Sequence, residues 1–531
     1  MPTTTIPYNN TGYFSQLISD YLSEKESLAS FYGEFPKLEN FGKQIKLKEK
    51  YFSETQRKEL VKQLRNQYKT VETSEATQNN IASLLKENTF TITTGHQLNL
   101  FTGPLYFLYK IFSVINLTEQ LSKQYPKNNF VPIYWMATED HDFEEINYFN
   151  FSGKKIQWNR QTAGAVGEFS TEGLNEVSEI FKKQLGNSKN ATELIKLFEE
   201  TYLNYTNLAE ATRYLGNILF SEYGLVIIDG NDAALKKEFI PYAEKEFTEN
   251  LSFKEVSKTT ERLIKEGYKE QVHPREINLF YLKKDVRERF IEQDGEFYVN
   301  EMEISFAKKE LLKELNKHPE RFSPNALLRP LYQEVILPNL CYVGGGGELA
   351  YWFQLKDYFK SVHIPFPILL LRNSVLLVPK QLSEKLKKLD VEMTSLFLPQ
   401  YELKTKHTQQ LSEINIDFTK QREHLQKQFK DLYDLAQKTD ASFIGAVAAQ
   451  EKKQLNGLDH LEKRLLKAQK RKLANQLERL TEIQDTLFPN QSLQERTMNF
   501  SEFYLEYGED LLIQLKENLD PLVNEFTILE L

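Results

Sequence analysis

Glu139, Asp140, His141 and Asp142 stand in a row, with Glu144 and Glu145 close behind. They directly follow a nearly continuous apolar run over residues 130–137. Ionisable side chains at that density are costly beside a buried strand unless they have a task. They could bind a cation through oxygen ligands, hold a substrate ammonium group, or act as general acid and base. An acidic first helical turn, favoured by the macrodipole, accounts for Asp140 and Asp142. It does not account for His141, whose protonated form is disfavoured there. A second group is Thr94-Gly95-His96-Gln97, followed by Thr102-Gly103-Pro104. Glycine lets a backbone approach an anion closely, and the next helix offers free N–H groups to it. A tight turn with no ligand has the same spelling. No Gly-Lys-Ser/Thr follows, so this is not a Walker loop. The third group is Gly344-Gly345-Gly346-Gly347-Glu348, ahead of Tyr351 and Trp352. Four glycines permit positive φ and close approach to a ligand, and they equally suit a hinge.

These groups need elements to hold them. Residues 89–94 are β-branched and aromatic and read as a strand. Residues 105–121 read as an apolar helix. Residues 130–137 read as a strand covered on both faces, as in a parallel sheet. Strand, helix and strand make a βαβ unit, and ligands collect beyond the C-terminal ends of such strands. Residues 224–229 and 364–371 read as further buried strands. Residues 151–215 and 260–330 differ in texture and read as insertions into one doubly wound sheet. The fold class is therefore α/β, with a core over residues 1–380 and a helical region over residues 381–531.

In that second region Leu411, Ile414, Phe418, Leu425, Leu432 and Leu435 follow a spacing of three to four. After a break near residues 439–442, Leu458, Leu461, Leu465 and Ala468 continue it. The phase slips near residues 470–472, then Leu473, Leu477 and Leu480 resume it. The pattern predicts an antiparallel coiled-coil hairpin, with a plain helical bundle as its alternative. Phe443, Ile444 and Val447 exceed what one hairpin covers, which points to a homodimer. Residues 500–531 read as a helical tail.

Composition narrows the class. The chain has 531 residues, 40% of them hydrophobic and 27% charged, so several structural units are expected. A net charge of -8 argues against backbone-driven nucleic-acid binding. The single cysteine, Cys341, excludes a disulfide framework and fits a reducing, cytoplasmic setting. Beside the glycine loop it could be a nucleophile, but with no His or basic residue adjoining it in sequence it reads as a buried, inert cysteine. The first residues carry no apolar leader, and no apolar run is long enough to span a bilayer. The other histidines show no metal-ligand spacing, and no protein metal site is expected.

Taken together, three blocks resemble the BshC family of bacillithiol biosynthesis enzymes. They are Thr94-Gly95-His96-Gln97 with Phe101-Thr102-Gly103-Pro104-Leu105-Tyr106, Pro132 through Glu145, and Tyr342-Val343-Gly344-Gly345-Gly346-Gly347-Glu348-Leu349-Ala350-Tyr351-Trp352. Leu487-Phe488-Pro489-Asn490 and Leu493-Gln494-Glu495-Arg496 extend the likeness beyond the coiled coil. Many members carry Gln where this chain has His96, and Pro within the loop where it has Gly346. The resemblance implies a nucleotidyltransferase-type Rossmann core, a dimerising coiled coil, and a ligase joining cysteine to glucosaminyl-malate. It implies ATP or another nucleotide as the activator of the cysteine carboxylate, with Mg2+ as an accompanying ion. By this reading Asp140, His141 and Asp142 are catalytic. His96, Gln97, Thr102, Gly103, Trp135 and Glu139 contact substrate. Thr94, Gly95, Gly344, Gly345, Gly347 and Glu348 contact the nucleotide. By analogy with class I aminoacyl-tRNA synthetases, Arg372-Asn373-Ser374 is the nearest positional counterpart of their second ATP loop. Two other classes compete: a non-catalytic coiled-coil scaffold, and a metal-dependent hydrolase built on residues 139–142.

Overall fold

The computed structural model describes residues 3–531. The chain divides into two compact units. One comprises residues 3–375 and 495–528, the other residues 376–494 with 529–531.

The first unit is built on a five-stranded parallel sheet: β1 (Thr89–His96), β2 (Asn129–Met136), β3 (Val226–Asp229), β4 (Asn339–Gly344) and β5 (Ile368–Leu371). The strand order is β5-β4-β1-β2-β3. The chain steps outward from β1 to β3, then returns to the other side of β1. That reversal between β1 and β4 is where open α/β sheets bind ligands, beyond the strand C-termini. Every residue of β1 and β4 is buried, which is why their apolar and β-branched runs do not alternate. Register places Gly95 beside Trp135, His96 beside Met136, and Gly344 beside Leu371. The strand ends are therefore level.

Four of these strands match the apolar runs read from sequence. The fifth, β4, is not among them, because Asn339 opens a short run in which Val343 is the only β-branched residue. The run expected over residues 364–371 forms a strand only from Ile368. Pro365 and Pro367 have no N–H to give a ladder. Helix α1 (Tyr106–Gln124) follows β1, and α2 (Gly346–Gln354) follows β4. Between β3 and β4 lies an antiparallel sheet of Leu279–Lys283, Val286–Gln293, Glu296–Val299, Ser305–Ala307 and Phe322–Pro324. The C-terminal stretch differs from the expected helical tail. After helices Phe500–Tyr507 and Asp510–Asn518, Glu525–Glu530 is a strand. Phe526 and Ile528 alternate with Thr527, a strand period, and the Thr527 N–H donates to the Ser374 carbonyl at 2.9 Å.

The second unit carries the hairpin. Helices α3 (Thr419–Ala436) and α4 (Ala441–Lys472) meet at Asp440, whose carboxylate accepts from the Ser442 N–H at 2.8 Å and caps α4. Arg422 pairs with Asp459 at 2.9 Å, and the Tyr433 hydroxyl donates to Glu451 at 3.0 Å. As one partner advances the other retreats, so the helices are antiparallel. Phe429, Ala436 and Val447 form the buried seam, flanked by Leu425 and Tyr433, so Val447 is covered within the hairpin, contrary to expectation, while Phe443 and Ile444 stay exposed. The expected phase slip is a break at Leu473, after which α5 (Ala474–Leu487) begins. The first arm starts later than its spacing predicts, since residues 412–418 are not helical. Asn415 and Asp417 bond the backbone two residues on, at 3.0 and 2.8 Å, and so compete with the helix. Among the described residues no helix is long and apolar enough to cross a membrane.

Candidate active site

A cavity of about 640 Å³ lies beyond the C-terminal ends of β1, β2 and β4. Gly95 opens its floor: a Cβ there would meet the Tyr342 hydroxyl at 3.3 Å. The Gly95 carbonyl accepts from Lys110 Nζ at 2.7 Å, which ties α1 to the end of β1. Lys110 also pairs with Glu348 Oε2 at 2.6 Å. Glu348 sits in the first turn of α2 and accepts from the Gly345 N–H at 2.8 Å and the Tyr342 hydroxyl at 2.7 Å. Burial lowers the Lys110 pKa despite this partner. Burial alone would raise that of Glu348, but Lys110 and the hydrogen bonds hold it below the usual carboxylate range.

Arginines dominate the remaining wall. Arg329 begins the helix Arg329–Ile336, and its guanidinium lies over Tyr342 at 5.5 Å and Trp135 at 6.0 Å. Its Nη1 donates to Gln333 Oε1 at 3.0 Å and its Nη2 to the Tyr351 hydroxyl at 3.4 Å. Among the described residues no carboxylate lies within ion-pairing distance of it. Burial opposes its charge, yet Tyr351, Tyr342 and Glu348 outweigh that and raise its pKa. Arg372 pairs with buried Glu495 at 2.7 Å and lies 5.0 Å over Tyr106, while its Nε is buried without a partner. Arg287 stacks on Phe280 at 4.0 Å and donates to His141 Nδ1 at 2.6 Å. A guanidinium only donates, so Nδ1 accepts and the ring N–H of His141 sits on Nε2. Arg496 is exposed at the rim. Among the lining residues, Lys110, Arg287, Arg329, Arg372 and Arg496 are five cations against three carboxylates, Glu139, Asp140 and Glu348, a surplus of two positive charges.

Residues 1–373 match the family described as "Bacillithiol biosynthesis BshC, N-terminal Rossmann-like domain", and residues 375–531 match its "C-terminal coiled-coil domain". The chain belongs to the BshC family. Relatives include a protein of Christiangramia forsetii, 57% identical over 100% of this chain and 99% of the relative, and one of Flavobacterium johnsoniae, 56% identical with both chains fully covered. A Bacillus cereus relative is 27% identical over 94% of this chain and 95% of its own. All three bear the name "Putative cysteine ligase BshC".

In this BshC chain the cavity gathers only part of the set read from sequence. Gly95, His96, Gln97, Trp135, Glu139, Asp140, His141, Gly345, Gly347 and Glu348 line it. His96 is buried against Tyr106 and Phe107, with ring centroids 5.4 and 4.9 Å away. Burial, then Lys110, drives its pKa down to about 3, so the imidazole is neutral. Its Nε2 is buried with no partner. Gln97 donates to Asp140 Oδ2 at 3.0 Å and to Glu145 Oε2 at 2.7 Å. Burial of Asp140 favours its neutral form. The bond from Gln97, the charge of Arg287 and the bond from the His141 backbone N–H overcome this and hold the carboxyl well below its usual range.

Other residues lie elsewhere, each for a visible reason. Asp142 is exposed and caps the short helix Phe143–Ile146, accepting from the Glu145 N–H at 3.4 Å. Glu139 lines the cavity but is already bound by Lys236 at 2.5 Å. The acidic row thus diverges to three destinations, and among the described residues no three His, Cys, Asp or Glu side chains converge as a metal site. The Thr94 hydroxyl donates to the Val343 carbonyl at 2.7 Å and clasps β1 to β4. Thr102 and Gly103 form a left-handed turn, φ +69° and +64°, outside the cavity lining. A Cβ on Gly103 would sit 2.5 Å from Asn99 Cβ. None of the four loop glycines takes positive φ. Gly344 is instead needed for close approach, since a Cβ would meet the Tyr342 ring at 2.9 Å. The Gly345 N–H already serves Glu348, so the loop presents a carboxylate where an anion cradle was expected. Cys341 is fully buried in β4, and burial raises its thiol pKa. Lys110, Arg287 and Arg329 escaped the sequence reading. A lysine on a helix and an arginine beside a proline carry no local mark of a site.

Proposed function

We propose that this chain is the ligase that joins the carboxylate of cysteine to the amine of glucosaminyl-malate, giving the amide of bacillithiol. The observation that carries the reading is the surplus of positive charge in a cavity at the sheet's switch point, with Arg329 committed to no carboxylate. A half-buried guanidinium with no carboxylate partner suits a carboxylate from the ligand, and a malyl group brings two. The ionised Asp140 is the acceptor for an ammonium group, supported by its fixed bonds to Gln97 and the His141 N–H. His96, neutral and with an unpartnered nitrogen, offers a hydrogen bond rather than a charge.

A nucleotide polyphosphate fits the donor set. Arg372 has a buried Nε without a partner, and Arg496 stands exposed at the rim, so these two would hold phosphate oxygens. When bound, the nucleotide supplies activation of the cysteine carboxylate. Mg2+ would arrive with the phosphates, as is usual for that ion. The chain's own residues hold the malyl carboxylates at Arg329, orient the amine at Asp140, and fix the end of β1 through Lys110. We place the enzyme in the cytoplasm as a homodimer, a reading supported by its single cysteine and the apolar surface of its hairpin.

The test is direct. Purified protein with cysteine, glucosaminyl-malate and ATP should yield the cysteinyl amide by mass spectrometry. Cells lacking the protein should accumulate glucosaminyl-malate. No product with any nucleoside triphosphate, and no accumulation, would leave the coiled-coil scaffold as the better account.

A further inference from the structure

We infer that the buried ion pair Lys48–Glu334 is a positioning device for Arg329, acting through Gln333, and that it sets the cavity's affinity for an anionic substrate. This rests on the reading above, in which Arg329 is the cation that meets the substrate carboxylate.

The relay is continuous: Lys48, Glu334, Gln333 and Asn339 are buried, and Arg329 at its end is half-buried toward the cavity. Lys48 ends the helix Phe41–Lys48, and its Nζ donates to Glu334 Oε2 at 3.0 Å and to the Glu334 carbonyl at 3.1 Å. The two side chains are 1% and 0% exposed. Glu334 Oε1 accepts from Gln333 Nε2 at 3.0 Å and from Asn339 Nδ2 at 2.6 Å. Asn339 in turn accepts from the hydroxyls of Thr93 at 2.8 Å and Thr91 at 3.2 Å, which anchors the carboxylate to β1. Gln333 then meets Arg329 Nη1 through Oε1 at 3.0 Å.

Chemistry fixes the sense of this chain. Burial pushes the Glu334 carboxyl up, opposed by Lys48, Asn339 and Gln333; as the carboxylate of the pair it only accepts, so the Gln333 amide turns its NH2 to Glu334. Its carbonyl is thereby forced toward Arg329, and a guanidinium only donates. A carboxylate placed directly on Arg329 would orient it equally well, but would cancel the charge the ligand needs. An interposed amide passes on direction without a full charge, while Lys48 neutralises Glu334 behind it. A buried ion pair is weak evidence for stability, because an apolar pair of the same volume is often as stable. The relay to Arg329 gives the pair a function that packing alone does not.

Three full-length variants decide it, with free malate as the probe in calorimetry and ligase kinetics alongside. Lys48→Met with Glu334→Gln removes both charges and leaves neither buried alone. Gln333→Leu cuts the relay and keeps the pair. Arg329→Gln tests the cation itself. All three should weaken malate binding by about tenfold or more, the scale of one charge-assisted hydrogen bond. The two relay variants should raise KM for the acidic substrate while kcat stays within about threefold. Should Arg329→Gln weaken malate while both relay variants bind as the natural chain does, the relay is overturned and the Arg329 assignment survives. Unchanged binding in Arg329→Gln overturns that assignment and the relay with it. If the double variant does not fold, Gln333→Leu decides alone: weakened malate binding supports the relay, and unchanged binding overturns it.

Discussion

Asp140 and Asp142 are two positions apart and have different environments. Asp140 is held ionised at the cavity wall by Gln97, the charge of Arg287 and the His141 backbone N–H, whereas Asp142 is an exposed cap. Asp140→Asn should lower kcat/KM by at least about a hundredfold, the scale for a positioned charge. Asp142→Asn should leave turnover near normal, since Asn caps helices as well as Asp. Equal losses in both variants would return the whole acidic row to the mechanism. His96 gives a second residue-scale contrast. With a pKa of about 3 it carries no proton to exchange near neutrality, so only its hydrogen-bonding capacity counts. His96→Gln should keep most activity and the same pH profile, and His96→Ala should lose more. A dead His96→Gln enzyme would show that imidazole chemistry is required.

At the scale of elements, the turn between β1 and α1 is held from distant segments. Asn499 Nδ2 donates to the carbonyls of Phe101 and Gly103 at 2.8 and 2.6 Å, and the Phe101 N–H donates to the Tyr202 hydroxyl at 2.7 Å. Phe101, Thr102 and Gly103 all take positive φ, which is costly for the first two. Asn499→Ala leaves two buried carbonyls unserved and should cost about 1–3 kcal/mol in denaturant unfolding. A loss below the error of the measurement would mean that the turn holds itself. The neighbouring helix Phe500–Tyr507 carries Glu502, whose carboxyl is pushed by burial up to about 7. Between its ordinary 4.5 and about 7 the folded chain keeps a proton that the unfolded chain has released. Its stabilising share is therefore full below 4.5 and lost as the pH rises through about 7. The unfolding midpoint should fall more between pH 5 and pH 8 in the natural chain than in Glu502→Gln. Parallel pH curves for the two proteins would refute it.

For the whole molecule, the hairpin carries the test of the proposed homodimer. Leu432, Leu435, Phe443, Ile444 and Leu461 remain exposed on α3 and α4 although the seam between those helices is filled. Apolar side chains in that number on one hairpin mark a partner surface, and identical chains most often pair by two-fold symmetry. Light scattering of the full-length chain should give the mass of a dimer at micromolar concentration. Deleting residues 411–480 should give a monomer. A truncated chain that stays dimeric would move the interface elsewhere.

Strands β1, β2 and β3 were legible in the sequence, because a strand covered on both faces must be apolar or β-branched along its whole length. The hairpin itself was legible at the helical period, down to the slip that becomes the break at Leu473, but its seam was not: Phe429, Ala436 and Val447 are buried there, whereas Leu432, Leu435 and Leu461 of the expected spacing are exposed. The cavity's main walls were legible too, because glycine at a strand end and charge after an apolar run are local marks. The charge of the site was not. Lys110 on α1 reads as a solvated helix residue until β4 returns beside β1 and brings Glu348 to it. Arg329 reads as one more arginine until Gln333, Tyr351 and Tyr342 surround it without a carboxylate. Local pattern reports burial and period, which each segment carries within itself. Which cation meets which anion depends on strand order, and that is fixed only when distant segments pack.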